Sequence, residues 1–498
     1  MYSNKKLGFF LAIIAFCILL FIGDIDSTNP QLNTMAAIAA MMAILWITEA
    51  VPLAVTSLIP LILLPITGLL SAEQVASSYM NSIIFLFVGG FLIAIAMEEW
   101  ELHKRIALKI ITIFGGTLKS IILGFMAAGA FLSMWISNTA TALMLLPIAL
   151  SVINKLEDQF GQTQTHQFAV ILLLSIAYSC TLGGVATLIG TPPNLVMMKM
   201  INVLFPKAPE IAFGNWMILA LPISVIMLGI VAILLTKILF KVDRELKLTK
   251  NIIHDEYKQL GKISFEEKAV STVFVITALL WIFRSDIFFG FLTIPGWSNL
   301  LPTAKFIDDG TVAITMAFIL FLIPSKSGKS ALLDFKAFNK IPWGIVLLFG
   351  GGFALAKGFT ESGLSVHIGD QLRTLQNVSP FLIIILSAIT ISFLTELTSN
   401  TAVTQMILPV AASVSIGIGM NPLLLMITVT VSASMAFMLP VATPPNTIIF
   451  AGGKVKSIEM AKTGLALNIL GAVTVSLIIY YLGSQIFNLN TFPAWATP

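Results

Sequence analysis

Two clusters of helix-capping side chains lie inside long apolar segments of this chain. Residues 137–140 and residues 399–402 both read Ser-Asn-Thr-Ala, and apolar residues follow each cluster. The side-chain oxygens of Ser, Asn and Thr accept hydrogen bonds from the free N–H groups at the start of a helix. Hydroxyl and amide groups are costly in an apolar environment unless they bind something. The pattern therefore predicts a helix starting at each cluster and a ligand-binding role for both.

A second motif also occurs twice, because residues 191–194 and 443–446 both read Thr-Pro-Pro-Asn. Thr can cap a helix, and Pro192 or Pro444 fits the first helical turn, where the missing N–H costs nothing. The proline ring also prevents the preceding helix from continuing unbroken. We therefore expect four half-helix N-termini directed at the centre of the protein. Each carries about half a positive charge and free N–H groups, which suits a carboxylate.

Cationic side chains are scarce near these motifs. Lys199 is the single Lys or Arg within ten residues of 137–139 or 191–194, and none lies that close to 399–401. A bound dianion needs other positive charge. Free carbonyl groups at the ends of the first hairpin arms and of the first halves of the broken helices are ligands for a hard cation. The pattern predicts Na⁺ bound beside the anion at both clusters.

Each of these features also has a structural interpretation. A single Ser-Asn-Thr in a membrane segment is most often a helix–helix contact, and a lone Pro-Pro is usually a kink, but duplication of both in order favours function. Glu49 and Glu396 lie in apolar segments and are candidate proton or cation ligands, with a structural hydrogen bond an equal alternative for Glu396. The Gly-Gly-Phe pairs at 89–91 and 351–353 are more typical of close helix packing.

The composition excludes a large soluble protein. Of the 498 residues, 57% are hydrophobic and 10% are charged, whereas soluble domains carry about 25% charged residues. A multi-pass protein of the lipid bilayer is therefore expected. The two cysteines lie in apolar segments and the four histidines lack metal-ligand spacing, so neither a disulfide framework nor a histidine metal site is expected. We expect no organic cofactor and no nucleic-acid partner.

The apolar segments predict eleven membrane-spanning helices and two re-entrant hairpins. Residues 7–23 are interpreted as a first membrane helix and not as a signal peptide, because no small-residue cleavage motif follows. With the N-terminus inside, all but six of the 28 Lys and Arg residues lie on the cytoplasmic side, as the positive-inside rule requires. That rule does not distinguish re-entrant hairpins from full spans. The predicted spans are 7–23, 32–50, 52–71, 81–98, 166–204, 213–240, 267–284, 309–324, 341–357, 421–452 and 458–488.

Three motifs recur in the same order in the two halves of the chain. Gly-Gly-Phe and Ser-Asn-Thr recur 262 residues later, and Thr-Pro-Pro-Asn recurs 252 residues later. Such spacing indicates an internal repeat. Each copy contains five spans and one hairpin, and an odd number of crossings inverts the second copy relative to the first. Broken helices at matching positions of inverted halves are typical of a transporter binding site at the membrane midplane.

The predicted architecture is an all-α polytopic membrane protein with two inverted repeats. The N-terminal helix and loop occupy 1–31, and a charged cytoplasmic linker with a surface helix occupies 241–266. The first repeat is 32–240, with a hairpin at about 117–153 and a broken helix at about 166–204. The second repeat is 267–488, with a hairpin at about 379–416 and a broken helix at about 421–452, followed by a tail at 489–498.

At the paired Ser-Asn-Thr motifs, at 190–194 and 442–446, and in the Gly-rich run 349–358, the sequence resembles the divalent anion–sodium symporter family. That family includes bacterial dicarboxylate and mammalian citrate and dicarboxylate cotransporters, and the likeness covers about residues 35–485. The resemblance implies a homodimer whose protomers each have a scaffold domain and a transport domain. The transport domain, with the hairpins and broken helices, would move like an elevator across the membrane.

The resemblance also implies the residues of the site, and none of the implied cation-site positions carries a cationic side chain. The implied substrate contacts are Ser137, Asn138, Thr139, Thr191, Pro192, Ser399, Asn400, Thr401, Thr443 and Pro444. One implied Na⁺ site comprises Ser133, Ser137, Asn138 and Gly190, and the other comprises Thr395, Thr398, Asn400 and Ala442.

The expected function is secondary active transport of C4–C5 dicarboxylates (succinate, malate, fumarate or 2-oxoglutarate) across the plasma membrane, driven by Na⁺. Exchange of one dicarboxylate for another without Na⁺, as in some members of the resembled family, is the alternative. The sequence does not decide between the two, because several implied cation ligands are backbone carbonyls, which every residue type carries. An intramembrane enzyme or ATP-driven pump is not expected, because the sequence has no HExxH motif, no paired catalytic aspartates and no Walker motif. A channel is less favoured because it does not require two mirror-related closed binding sites.

Overall fold

The computed structural model describes residues 2–23, 25–115, 117–240, 252–288, 292–328 and 330–496. These residues are mostly helical, with one short antiparallel pair of strands, β1 (Ile287–Phe288) and β2 (Thr293–Ile294). Residues 241–251 of the predicted linker lie outside the described residues. The rest of that linker contains the helix Ile252–Gln259.

The described residues form 24 α-helices. Those of the first half are α1 (Tyr2–Phe21), α2 (Pro30–Thr48), α3 (Leu53–Thr56), α4 (Ile59–Ile66), α5 (Ala72–Tyr79), α6 (Ser82–Glu99), α7 (Leu102–Phe114), α8 (Leu118–Ser133), α9 (Asn138–Phe160), α10 (Gln162–Val185), α11 (Pro192–Leu204) and α12 (Phe213–Ile233). Those of the second half are α13 (Ile252–Gln259), α14 (Phe265–Ile282), α15 (Asp309–Leu322), α16 (Ala337–Lys340), α17 (Trp343–Glu361), α18 (Leu364–Gln371), α19 (Pro380–Leu394), α20 (Asn400–Gly417), α21 (Pro422–Ala433), α22 (Pro444–Ala451), α23 (Ser457–Ile478) and α24 (Ser484–Phe487).

Seven helical stretches of the described residues are long and apolar enough to cross a bilayer, and five shorter apolar helices accompany them. The long stretches are Pro30–Thr48, Ala72–Glu99, Asn138–Phe160, Gln162–Val185, Phe213–Leu239, Trp343–Glu361 and Ser457–Phe487. The last helix of each repeat continues into a π-helical turn, Leu234–Leu239 after α12 and Ile479–Gly483 after α23. The expected all-α membrane architecture is confirmed.

One predicted helix is wrong, because the segment 52–71 forms two short helices. α3 ends at Thr56 and α4 starts at Ile59, with Pro60 in its first turn. A continuous helix would need an N–H of Pro60 to bond the carbonyl of Thr56, and proline has none. The sequence analysis also missed four helices that lie between the predicted spans, namely α5, α7, α16 and α18.

The two hairpins and the two broken helices are present as pairs of helices with short interruptions. The hairpin arms are α8 with α9 and α19 with α20, and the broken helices are α10 with α11 and α21 with α22. The first hairpin extends to Phe160, beyond the expected end near 153, and stops at Gly161, whose positive φ of 80° ends the helix. The first break also begins earlier than expected, directly after Val185.

The second half of each broken helix packs on the opposite repeat. α11 packs against α20 and α21, and α22 packs against α9 and α10. The two hairpins and two broken helices therefore form one interlocked body, although the helices that meet are about 200 to 300 positions apart in the chain.

The Gly-Gly-Phe motifs lie at close helix crossings. A methyl group built at Gly89 would lie 2.6 Å from the carbonyl carbon of Ala313 in α15, and one built at Gly351 would lie 2.6 Å from Cβ of Ser57. Only a residue without a Cβ permits such an approach. The Gly-Gly-Phe motifs thus serve close helix packing, as their sequence favoured.

Candidate functional site

The four expected helix N-termini are present, and each begins one residue after a motif Ser or Thr. Ser137, Thr191, Ser399 and Thr443 are the N-cap residues of α9, α11, α20 and α22. Oγ of Ser137 accepts from the N–H of Ala140 at 3.1 Å, and Thr443 likewise caps its helix. Ser399 and Thr191 make no side-chain capping bond, so the capping prediction is correct at two positions and wrong at the other two.

These four N-termini line one cavity of about 640 Å³. All ten residues implied as substrate contacts line it, and so do six of the eight residues implied as cation ligands. The other two, Ser133 and Thr395, are fully buried at the ends of the first hairpin arms. The two halves of the chain thus place equivalent groups around a shared space.

The first cation-site candidate is a group of oxygen atoms around Asn138. Its Oδ1 is buried and has no hydrogen-bond partner among the described residues. A methyl group built at Gly184 would lie 2.7 Å from that Oδ1 and 2.9 Å from the carbonyl oxygen of Gly190. One built at Gly190 would lie 2.9 Å from the carbonyl oxygen of Ser133. These oxygens therefore lie close together in a region that only glycines leave open, and oxygen donors are what a hard cation requires.

The second candidate is similar in position but differs in its hydrogen bonds. Oγ1 of Thr395 donates to Oδ1 of Asn400 at 2.7 Å and lies 2.9 Å from the carbonyl oxygen of Ala433. Oγ1 of Thr398 donates to the carbonyl of Leu394 at 3.1 Å. The asparagine oxygen is thus already engaged here, whereas Asn138 Oδ1 in the first site is not.

Two asparagines hold the unwound segments of the broken helices, and sequence reasoning did not select them. Asn194 and Asn446 are fully buried. Each donates through Nδ2 to backbone carbonyl groups that lose their helical partners where the first half of the broken helix ends. Such carbonyls need partners away from water. Their presence at the fourth position of both Thr-Pro-Pro-Asn motifs was the sequence feature that could have identified them. The acceptors are Gly184, Val185 and Thr187 for Asn194, and Ala436 and Leu439 for Asn446.

The two breaks are otherwise stabilised by different groups. In the first, Oγ1 of Thr187 donates to the carbonyl of Met134 and accepts from the N–H of Gly190, and Trp216 Nε1 donates to the carbonyl of Val185. In the second, the buried carboxylate of Glu396 accepts from the backbone of residues 437–439. Glu396 therefore has the structural hydrogen bonds that were one of its two expected roles.

The charged residues that line the cavity among the described residues are Lys5 and Glu49. Lys5 lies in the first helix, more than 130 positions from the nearest Ser-Asn-Thr or Thr-Pro-Pro-Asn motif, so no local pattern connected it with the site. Glu49 ends α2 in a left-handed conformation with φ 46° and is exposed at the edge of the cavity, not buried in apolar surroundings.

A protein-family model for the sodium:sulfate symporter transmembrane region matches residues 3–489. The chain belongs to this family. The divalent anion–sodium symporters are transport proteins, so the chain is a membrane transporter and not an enzyme, and the predicted family is confirmed.

Other members of the family are close in sequence along most of the chain. The sodium-dependent dicarboxylate transporter SdcS of Staphylococcus aureus strain MRSA252 is 44% identical over 453 residues, covering 90% of this chain and 85% of the relative. The SdcS protein of strain NCTC 8325 gives the same identity and coverage.

Two solved structures of transporters have a similar fold. Neisseria gonorrhoeae MtrF superposes with a TM-score of 0.56 at 11% identity, covering 84% of this chain and 83% of MtrF. Alcanivorax borkumensis YdaH superposes with a TM-score of 0.56 at 12% identity, covering 84% of this chain and 89% of YdaH. At these identities the likeness concerns the fold alone.

Proposed function

We propose that this symporter-family chain is a secondary active transporter of C4–C5 dicarboxylates, such as succinate, malate, fumarate or 2-oxoglutarate, coupled to Na⁺. The observation that carries the proposal is the convergence of all ten implied substrate residues and four helix N-termini on one cavity. The name of the 44%-identical relative, a sodium-dependent dicarboxylate transporter, supports the same substrate and ion.

The anion would be held by the two Ser-Asn-Thr clusters, one at each carboxylate. Helix N-termini offer free N–H groups and a partial positive charge, and the hydroxyls of Thr139 and Thr401 lie beside them along the cavity. Two equivalent clusters lining one cavity match a ligand with two negative groups. A C4–C5 dicarboxylate is such a ligand.

The cations would be held beside the anion and supply the charge that the clusters lack. The residues present fit Na⁺ at the first site, because Asn138 Oδ1 is buried without a partner and the carbonyls of Ser133 and Gly190 lie close by. Asn138 would then contribute to both the cation and the substrate site. Thr395, Thr398, Asn400 and Ala442 would form the second site.

Movement of the interlocked hairpins and broken helices as one body would carry the ligands across the membrane in an elevator mechanism. The packing of α11 on α20 and of α22 on α9 supports a single moving body. We also propose that the protein is a homodimer of the plasma membrane, as the family resemblance implies. The distribution of Lys and Arg places its N-terminus in the cytoplasm in this proposal.

The deciding experiment is uptake of labelled succinate into proteoliposomes, either empty with an inward Na⁺ gradient or preloaded with unlabelled dicarboxylate. We expect uptake into empty vesicles that requires Na⁺. Uptake only into preloaded vesicles, independent of Na⁺, would show an exchanger. Uptake of labelled sulfate and not succinate would retain the family and overturn the substrate.

The site assignment is tested by Asn138→Ala and Asn400→Ala, each of which should abolish transport and leave assembly intact. Asn377→Ala is the matched control, because Asn377 is exposed and does not line the cavity. Normal transport in both site variants would overturn the assignment.

A further inference from the structure

We propose that Lys5 draws the dianionic substrate into the cavity from the cytoplasmic face, with Glu49 opposing it. This inference rests on the proposed function, because it needs a doubly negative substrate. It adds a side-chain charge pair at the entrance to a site whose binding groups are neutral.

Lys5 is placed where a steering charge is effective. It is exposed, and it lines the same cavity as the Ser-Asn-Thr clusters. Lys5 is also the cationic side chain among the described cavity-lining residues, and Glu49 is the anionic one. Low-dielectric walls focus the field of such a charge into a cleft and raise the local concentration of an oppositely charged ligand.

Packing of the first helix fixes this position. α1 runs along α2, and a methyl group built at Gly8 would lie 2.5 Å from Oγ1 of Thr48. Gly8 is one helical turn from Lys5, and Thr48 directly precedes Glu49. The close approach of the two helices therefore carries both charged side chains to the edge of the cavity together, and Thr48 itself lines it.

The residues around Lys5 identify the face on which the cavity opens. The lining includes Thr48 and Glu49 at the end of α2, Leu53 at the start of α3, and Ile345 near the start of α17. α17 begins shortly after Lys340, and α1 contains Lys5 and Lys6 near its start. This Lys-bearing face is the cytoplasmic one by the positive-inside rule. The structure is therefore open to the cytoplasm, and Lys5 acts on substrate at that face.

The two charges must then have opposite effects. Removing Lys5 lowers the local concentration of a dianion at the entrance, whereas removing Glu49 raises it. Both effects shrink at high ionic strength, because exposed charges are screened within about 10 Å at 0.1 M salt. Neither substitution changes the binding clusters, so the maximal rate should stay unchanged while KM moves.

The test is Na⁺-dependent succinate uptake into inside-out and right-side-out membrane vesicles at low ionic strength, with choline chloride added at fixed Na⁺. For Lys5→Gln we expect KM to rise about three- to tenfold in inside-out vesicles only, with recovery in Lys5→Arg and loss of the effect at high choline chloride. Glu49→Gln should lower KM in the same vesicles. Lys6→Gln is the matched control, since Lys6 is exposed on the same turn and does not line the cavity.

The outcomes separate this inference from the proposed function. Wild-type succinate uptake with an unchanged KM in Lys5→Gln overturns the role of Lys5, as does an equal rise in Lys6→Gln or in right-side-out vesicles. If the wild-type protein takes up no succinate in either vesicle type, the proposed function fails, and this inference fails with it.

Discussion

The carboxylate of Glu396 accepts a hydrogen bond from the backbone N–H of Phe437 at 2.7 Å, and the two residues belong to different elements of the second repeat. Oε1 also accepts from the N–H of Met438 and from Nδ2 of Asn468, and Oε2 accepts from the N–H of Leu439. One side chain near the tip of the second hairpin thus accepts from three consecutive N–H groups of the adjacent unwound segment.

Glu396→Gln should therefore destabilise the second break. An amide has one acceptor oxygen where the carboxylate has two, so at least one buried N–H loses its partner at a cost of about 1–3 kcal/mol. The measurement is the thermal unfolding temperature of the purified protein, which should fall. Asp370→Asn removes an exposed pair with Arg373 and serves as control, because such pairs contribute about 0–1 kcal/mol. Equal stability of the two variants would contradict the role of Glu396.

Gly184→Ala should abolish Na⁺-dependent transport. The new methyl group would lie 2.7 Å from Oδ1 of Asn138 and fill the region where the oxygens of the first candidate cation site lie close together. Na⁺-induced stabilisation against heat and succinate uptake should both disappear. Gly229→Ala is the matched control on α12, since no heavy atom lies within 4 Å of its added methyl. Normal Na⁺ dependence in Gly184→Ala would show that this group of oxygens holds no cation.

Thr395→Val should raise the Na⁺ concentration for half-maximal uptake about tenfold, which corresponds to about 1.4 kcal/mol. Valine has the shape of threonine but lacks the hydroxyl that holds Oδ1 of Asn400. Thr395→Ser retains that hydroxyl and should behave like the wild type. The succinate KM at saturating Na⁺ distinguishes a cation effect from general damage, because it should remain nearly unchanged in both variants.

Gly352→Ala should destabilise the protein by about 1–3 kcal/mol through overpacking. Its methyl group would lie 2.7 Å from Cγ of Gln405, which is fully buried and has no hydrogen-bond partner for either amide atom among the described residues. Gln405→Ala makes room, so the double variant should recover stability relative to Gly352→Ala. Unfolding measurements on the four members of this cycle give the coupling, and additive effects would exclude the contact.

The sequence by itself determined the family, the membrane class and the identity of the cavity-lining motif residues. All four helices start directly after a motif Ser or Thr, and Ser137 and Thr443 cap theirs through side-chain hydrogen bonds. Proline after Thr191 and Thr443 lacks the N–H that a continuous helix would need, so these helix starts follow from neighbouring residues. The division of 52–71 into two helices also has a local cause, namely Pro60 in the first turn of α4. The sequence analysis predicted one helix there because the whole segment is apolar.

Only the tertiary structure decided which distant groups meet. The partners of Glu396 lie about 40 residues along the chain or further, Lys5 reaches the cavity from the other end of the first half, and α11 and α22 cross onto the opposite repeat. Helix caps depend on bonds within a few residues, whereas these contacts depend on how whole helices pack. The physical reason is that an apolar helix face can pack on many partners, and only the assembled bundle selects among them.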